Sequence, residues 1–352
     1  MDILRWFQHY LADRQVVALV LLLGFILFVF LTVGRYLTPV IASLVLAYLL
    51  EGVVQFLERR KVPRFVAVNI VFAVFMLGFL YLLFGLTPKI YRQIVQLVQT
   101  LPEIVLTWQE RLLLLPENYP DIFTEHQVNR IIGAINTQIG ELSQDVLSIS
   151  MASVMGFIEI LIYSVLIPVI VYFFLKDKEK IVEYFCHFLP DNIDLASKIW
   201  KEVNHKTSRF VQGKIWETLI NWAASYVAFF FLGLQYSVLL SFAVGVSVIV
   251  PYVGATISSL LVLLVAYFQW GWDAHFMYIA IALLLILILD ANLLVPLLLS
   301  GIVNLHPLAI IIGILIFGGL WGLWGVFFAI PLATLVNAII RAWPSMEQTA
   351  GD

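Results

Sequence analysis

The sequence has little charge and almost no cysteine. Only 12% of its 352 residues are charged, whereas 62% are hydrophobic. Soluble globular domains carry about 25% charged residues, so this composition excludes an ordinary soluble protein. The single cysteine, Cys186, excludes a disulfide framework within the chain. The net charge of −3 gives no basic character for nucleic-acid binding.

Catalytic and metal-binding motifs are also absent from the sequence. It contains no H-E-x-x-H, no G-x-S-x-G, no pair of cysteines and no phosphate-binding glycine loop. The six histidines are scattered, and no two of them are four residues apart. Since an active site requires groups that converge, we expect a protein that is not an enzyme and that needs no metal or cofactor.

Long apolar blocks dominate what is present. A helix needs about 20 mostly apolar residues to cross the bilayer, because lipid offers no partner to backbone polar groups. Eight blocks have about this length or more: 16–34, 37–57, 65–88, 151–175, 215–234, 236–268, 276–303 and 305–340. The pattern predicts an all-α polytopic membrane protein with about eight transmembrane helices.

Two of these blocks are too long for one upright helix. The last has 36 residues, or roughly 54 Å as a helix, against a hydrocarbon core of about 30 Å. Proline and glycine weaken helices, so we expect broken or re-entrant segments where they occur. The hinge candidates are Pro251, Gly254, Pro296, Gly318, Gly322, Gly325 and Pro331. Close helix packing is the alternative explanation for the G-x-x-x-G pair Gly318 and Gly322.

Basic residues predict the orientation. With the N-terminus in the cytoplasm, 15 of the 20 Lys and Arg residues lie inside, as the positive-inside rule requires. Both termini are then cytoplasmic. The predicted segments are transmembrane helices 1–3 (1–87), an extracytoplasmic helical hairpin (88–150), helix 4 (151–175), a cytoplasmic amphipathic segment (176–214), helices 5–8 with broken segments (215–342) and a cytoplasmic tail (343–352).

Two insertions carry amphipathic patterns. Residues 90–108 place apolar side chains at helical spacing, and residues 128–149 alternate in steps of four and three, which is the period of a coiled-coil seam. We expect a helical hairpin. The apolar stripe formed by the heptad pattern of residues 128–149 packs on the first arm of the hairpin, on lipid, or between protomers. The cytoplasmic insertion predicts a helix along the inner face of the membrane.

Ionisable residues inside the apolar blocks are the candidate functional residues. A carboxylate at the bilayer centre costs at least about 2.5–3.5 kcal/mol. Asp290 follows nine apolar residues, and Asn292 and Pro296 come soon after it. This pattern indicates a helix opened towards an inner cavity, with Asp290 and Asn292 as candidates for the transport pathway or for coupling. A structural hydrogen bond that caps a broken helix is the alternative.

Two further acids belong to this candidate set. Glu159 lies near the middle of the fourth block, where it is either a transport residue or a protonated acid in an interhelical hydrogen bond. Glu51 lies close to the basic inner turn, so extension of its side chain to the membrane surface (snorkelling) or pairing with Arg59 or Arg60 is favoured over a transport role.

Four motifs then resemble a known family. They are residues 251–254 (PYVG), 290–296 (DANLLVP), 304–308 (NLHPL) and 318–331 (GGLWGLWGVFFAIP). In this order they resemble the autoinducer-2 exporter (AI-2E) superfamily, with the PerM-type permeases as the most similar branch, and the resemblance covers essentially the whole chain. It implies a polytopic bacterial inner-membrane protein that forms a homo-oligomer, for which a pentamer is one arrangement. It implies no site residues.

The leading hypothesis is a secondary transporter for a small solute or ion. The resemblance implies autoinducer-2 export or cation/proton antiport as its activity, and a proton or cation taken up by Asp290 and Glu159 would drive it. Its expected partners are the lipid bilayer and the solute, not nucleic acid. A passive channel-like pore and a non-transporting envelope scaffold are the alternatives.

Overall fold

The computed structural model describes residues 37–113, 153–187, 194–251, 253–299 and 306–342, with scattered positions between 24 and 140. Every regular element in these residues is a helix. They are α1 (Thr38–Arg59), α2 (Arg64–Tyr81), a π-helical turn (Leu82–Leu86), α3 (Thr87–Leu113), α4 (Ser153–Lys176), α5 (Lys178–His187), α6 (Asp194–Phe231), α7 (Ser237–Ser247), α8 (Val253–Trp270), α9 (Ala274–Leu289), a second π-helical turn (Asp290–Leu294), α10 (Val295–Leu299) and α11 (Pro307–Ala342).

Four of these helical stretches are long and apolar enough to cross a membrane. They are Thr38–Arg59, Arg64–Thr100, Val253–Trp270 and Ala274–Leu299. A fifth candidate is the pair Ile160–Lys176 and Lys178–Tyr184, bent by 82°. The all-helical membrane architecture is therefore confirmed, with four to five candidate spans among the described residues. The first predicted block, residues 16–34, lies almost wholly outside them.

The insertion at residues 88–150 begins without a break from α2. Helix α2 continues through the π turn into α3, and the Thr87 hydroxyl donates to the Leu82 carbonyl across that turn at 2.9 Å. Helix α3 then contacts the start of α7, where the Gln93 side chain accepts from the Leu239 backbone N–H at 2.7 Å. The heptad stripe of residues 128–149 lies mostly outside the described residues, so its packing stays a prediction.

The block at residues 236–268 folds back on itself. Gln269, at the end of α8, accepts from the Gln235 N–H at 2.8 Å and donates to the Gly233 carbonyl at 2.9 Å, so the end of α8 lies beside the start of α7. A Cβ on Gly254 would overlap the Ser247 carbonyl. Residues 237–270 are thus an antiparallel helical hairpin, the first hairpin, whose tip is the interruption predicted at Pro251 and Gly254.

The last block forms a second hairpin, residues 307–342. Its turn is at Gly322, whose φ of 60° and ψ of −134° break the helix in a conformation that glycine adopts without strain. Beyond the turn, a Cβ on Gly325 would overlap the Phe317 carbonyl, and one on Gly318 would lie 2.8 Å from Val326. This break lies within the segment where the sequence predicts an interruption, and Gly318 and Gly325 permit the close approach of the two arms.

Helix α6 is the element against which both hairpins pack. It has 38 residues and runs unbroken across residue 214, where the sequence analysis separated a cytoplasmic segment from a membrane helix. Near its end, Phe229 packs with Leu240 and Val262 of the first hairpin. Nearer its start, Phe210 packs in a cluster with Phe327 of the second hairpin. The hairpins are therefore held along one continuous helix.

We expect Gly325→Ala to destabilise the protein and Gly319→Ala not to. A methyl group at residue 325 meets the Phe317 carbonyl, whereas nothing lies within 4 Å of a Cβ at residue 319. The first change should cost about 1–3 kcal/mol, because the arms must separate, and the second should be neutral or gain up to about 1 kcal/mol in helix propensity. Thermal unfolding in detergent measures both. Equal midpoints for the two variants would contradict the close approach.

Candidate functional site

A row of buried polar residues runs along one face of α6. Lys214, Glu217, Asn221 and Ser225 are spaced by three and four residues, so they share a face of the helix. Their exposed fractions are 6%, 1%, 2% and 0%. Buried charges are rare without partners, and in a chain this apolar the row requires partners from neighbouring elements.

Lys214 has one partner on its own helix and one on the first hairpin. Its Nζ is 2.9 Å from Oε1 of Glu217 and donates to the Val248 carbonyl at 2.8 Å. Val248 follows the last residue of α7, so its carbonyl belongs to the helix C-terminus, where carbonyls lack intrahelical donors and the helix dipole is negative. The ammonium therefore compensates both a carboxylate and a helix end.

Asn221 connects α6 to Asp290. Its Nδ2 donates to Oδ1 of Asp290 at 2.6 Å and to the Glu217 carbonyl at 3.1 Å. Asp290 is the first residue of the second π-helical turn and is half-buried. The predicted opening of the helix at Asp290 is thus a π turn, a distortion that often marks functional sites. Lys214, Glu217, Asn221 and Asp290 are called the membrane network below.

The membrane network has more negative than positive groups. Glu217 and Asp290 are two carboxylates against the single ammonium of Lys214, which leaves a formal charge of −1 when all three are ionised. Oε2 of Glu217 is buried and has no hydrogen-bond partner among the described residues. A buried carboxylate oxygen without a partner is unfavourable, so the site favours the uptake of a proton or a cation.

The membrane network lies beside both hairpins. Val248 is at the tip of the first hairpin, and the next residue, Ile249, packs against the cluster that contains Phe327 of the second. On the neighbouring face of α6, a cavity of about 240 Å³ is bordered by Trp222, Tyr226 and Lys89. A displacement of the first hairpin would therefore change the surroundings of Lys214 directly.

The other candidate residues do not join Asp290. The Asn292 side chain is exposed and donates to the Ile288 carbonyl of its own helix at 2.9 Å, so it satisfies backbone at the π turn. Pro296 is exposed in the short helix that follows. Glu159 is on α4, but its side chain lies outside the described part of the structure.

Glu51 belongs to a separate cluster. Its carboxylate accepts from Lys178 at 2.9 Å and from Arg64 at 3.3 and 3.4 Å, and Arg64 also bonds Glu58 and the Leu175 carbonyl. The expected ion pair is present, but its partners are Arg64 and Lys178 in place of Arg59 or Arg60. These bonds join α1 to α2, to the end of α4 at Leu175 and to the start of α5 at Lys178.

Lys214 and Glu217 are the site residues that the sequence analysis missed. Lys214 was placed at the end of a cytoplasmic segment and Glu217 at the start of a span, because charged residues were used as boundaries. The available signal was the spacing of three, four and four residues from Lys214 to Ser225 within one apolar stretch. Asn221 belongs to the same row, and its bond to Asp290 joins α6 to the second π-helical turn.

Asn221→Leu should destabilise the protein by about 1–3 kcal/mol, since it removes the donor from a half-buried carboxylate. Asn69→Leu is the matched control, because the Asn69 amide donates to the Phe65 carbonyl within its own helix, and we expect a change within about 0.5 kcal/mol there. Thermal unfolding in detergent compares the two. A control as destabilised as Asn221→Leu would show that the bridge to Asp290 contributes nothing specific.

Comparison with known proteins gives a consistent result. Residues 16–345 match the family described as "AI-2E family transporter". The chain is 38% identical over 345 residues to "Putative permease PerM" of Escherichia coli (strain K12), with 97% of each chain covered. It is 24% identical to "Putative transport protein YueF" of Bacillus subtilis (strain 168), with 85% of this chain and 82% of the relative covered. The chain belongs to the AI-2E transporter family.

Proposed function

We propose that this chain is a secondary transporter of the bacterial inner membrane that moves a small solute or ion past the membrane network. The carrying observation is the pair of buried or half-buried carboxylates: Glu217 on α6 pairs with Lys214, and Asp290 at the end of α9 accepts from Asn221, one helical turn further along α6. Membership of a transporter family supports the general activity. Intramembrane acids of this kind mark ion pathways and proton relays, which supports coupling at this site.

The coupling step follows from the charge of the membrane network. With Lys214 in place, one carboxylate is compensated and the second is surplus, so a proton or a cation from one side of the membrane neutralises the site. Asp290 is the entry group, because it is half-buried whereas Glu217 is 1% exposed. Release on the other side restores the surplus charge and prepares the next cycle.

The hairpins are the moving gates. Both are broken helices, and the breaks that follow Ser247 and that lie at Gly322 interrupt the regular helical hydrogen bonding within the apolar region. Transporters commonly build their sites from such discontinuous helices. Because the first hairpin carries the Val248 carbonyl that binds Lys214, a change in charge at the network is transmitted to that hairpin.

The proposed topology is six crossings and two re-entrant hairpins, built from the eight apolar blocks. The bonds of Gln269 to Gly233 and Gln235 support entry and exit of the first hairpin on the outer side. The second hairpin then enters from the cytoplasm, and both termini remain cytoplasmic. We further propose, as the family resemblance implies, that the chain works in lipid as a homo-oligomer.

Labelling of cysteines distinguishes this topology from eight full spans. In a Cys186→Ser background, Trp272→Cys places a thiol between α8 and α9, where Trp272 is 75% exposed. We expect a membrane-impermeant maleimide to label it in spheroplasts with an intact inner membrane, as it labels Arg130→Cys in the outer insertion. Arg59→Cys should react only after permeabilisation. If Trp272→Cys behaves like Arg59→Cys, the first hairpin crosses the membrane.

Flux measurements test the coupling role of Asp290. Wild-type protein in proteoliposomes is screened for transport of sodium, lithium, protons and autoinducer-2, and the screen should find a saturable, gradient-dependent flux. Asp290→Asn should reduce that flux at least about tenfold, because the amide keeps an oxygen acceptor for Asn221 but loses the negative charge. A tenfold lower rate corresponds to an activation barrier higher by about 1.4 kcal/mol.

Asp273→Asn is the matched control for this experiment. The same substitution there alters an exposed aspartate that bonds His275 at the start of α9, so flux should be retained. Undiminished flux in Asp290→Asn would remove Asp290 from the mechanism. Ohmic conductance without saturation would favour a passive pore, and no flux of any tested solute would contradict transport of these solutes.

A further inference from the structure

Oxygen atoms from two elements converge on the Lys214 ammonium. Nζ is 2.9 Å from Oε1 of Glu217 on α6 and 2.8 Å from the Val248 carbonyl at the tip of the first hairpin. Lys214 and Glu217 are 6% and 1% exposed. The ammonium is therefore enclosed by protein and held by a carboxylate and a backbone carbonyl.

The same oxygens form a suitable site for a free monovalent cation. Hard cations are bound by carboxylate and carbonyl oxygens. In transporters with broken helices, unwound carbonyls and the C-terminal ends of half-helices coordinate the coupling cation. Val248 is such a carbonyl, since it caps the C-terminus of α7, where the helix dipole favours positive charge.

A third oxygen is present beside these two. Oε2 of Glu217 is buried without a hydrogen-bond partner, although a carboxylate can bind a cation through both oxygens. The ion pair with Lys214 uses only Oε1 of Glu217, so Oε2 is left available as a second ligand for a cation.

Charged groups from the neighbouring elements do not replace Lys214. The π turn contributes Asp290, whereas α7 and α10 contain no ionisable residue. Glu51 of α1 is bound by Arg64 and Lys178, and Tyr48 of α1 donates to Asn204. Among the described side chains packed here, Lys214 is thus the cation that faces Glu217.

We propose that Lys214 is a built-in cation that occupies a monovalent-cation site formed by Glu217 and Val248, so that sodium and lithium are excluded from this site while the ammonium is in place. The inference deepens the proposed function and rests on it for the role of the site in coupling. Cation binding itself is measured without any flux, so the two proposals can fail separately.

Removal of the side chain should vacate the site. Lys214→Ala in detergent should unfold at a midpoint about 2–4 °C higher in sodium, lithium or potassium chloride than in choline chloride of equal concentration, because a ligand that binds the folded state stabilises it. Wild-type protein should show a smaller difference, limited to cation binding at Asp290. Lys178→Ala is the matched control, since Lys178 pairs with Glu51 outside the network, and it should not gain a response to alkali cations.

Two further measurements decide the outcome. Adding Glu217→Gln to Lys214→Ala should abolish the additional response, because the anionic ligand is lost. If Lys214→Ala does not fold, binding of radioactive sodium is compared between wild type and Lys214→Gln, and the variant should bind additional sodium that is lost when Glu217→Gln is added. A variant that responds no more than wild type, or a wild-type protein that itself binds sodium at this site with loss in Glu217→Gln, would overturn the proposal.

Discussion

The buried ion pair of Lys214 and Glu217 is the interaction on which the arrangement of the membrane network depends. Removing one partner from such a pair leaves an uncompensated charge, which typically destabilises a protein by about 3–5 kcal/mol. Here the same ammonium also binds the Val248 carbonyl. The pair therefore fixes the tip of the first hairpin to α6, and any process that changes the charge of Glu217 also changes the force that holds this hairpin.

Interrupted helices in lipid create backbone groups that need partners. In this chain polar side chains supply them locally: Lys214 binds the end of α7, Asn292 binds the Ile288 carbonyl beside the second π turn, and Thr87 binds the Leu82 carbonyl across the first. These polar residues have this structural role whatever else they do. The acids differ, because an ionised carboxylate only accepts hydrogen bonds and cannot satisfy the carbonyl of a helix end.

The sequence predicted where helices are interrupted better than it predicted which residues form hydrogen bonds and ion pairs with each other. Pro251 and Gly322 lie at the breaks and act through local backbone chemistry, so their effect is visible in the sequence. Asp290 was identified from its cost in an apolar block, but its donor Asn221 is 69 residues away, and Lys178 is 127 residues from Glu51. Such pairings depend on how helices pack. Lys214 was missed for another reason, since a span boundary drawn at charged residues assumes that charge lies at the membrane surface.

The balance of charge distinguishes the membrane network from the other acidic cluster. Around Glu51, two carboxylates (Glu51 and Glu58) meet two cations (Arg64 and Lys178), so the cluster is formally neutral and joins helical ends. In the membrane network as the structure describes it, two carboxylates, Glu217 and Asp290, are present with one cation, Lys214, which pairs with Glu217, and they lie on or beside interrupted helices. A neutral cluster has no need to gain or lose an ion. In the proposed function, the surplus negative charge of the membrane network is the reason for ion uptake, and the first hairpin, held by Lys214, transmits the change in charge.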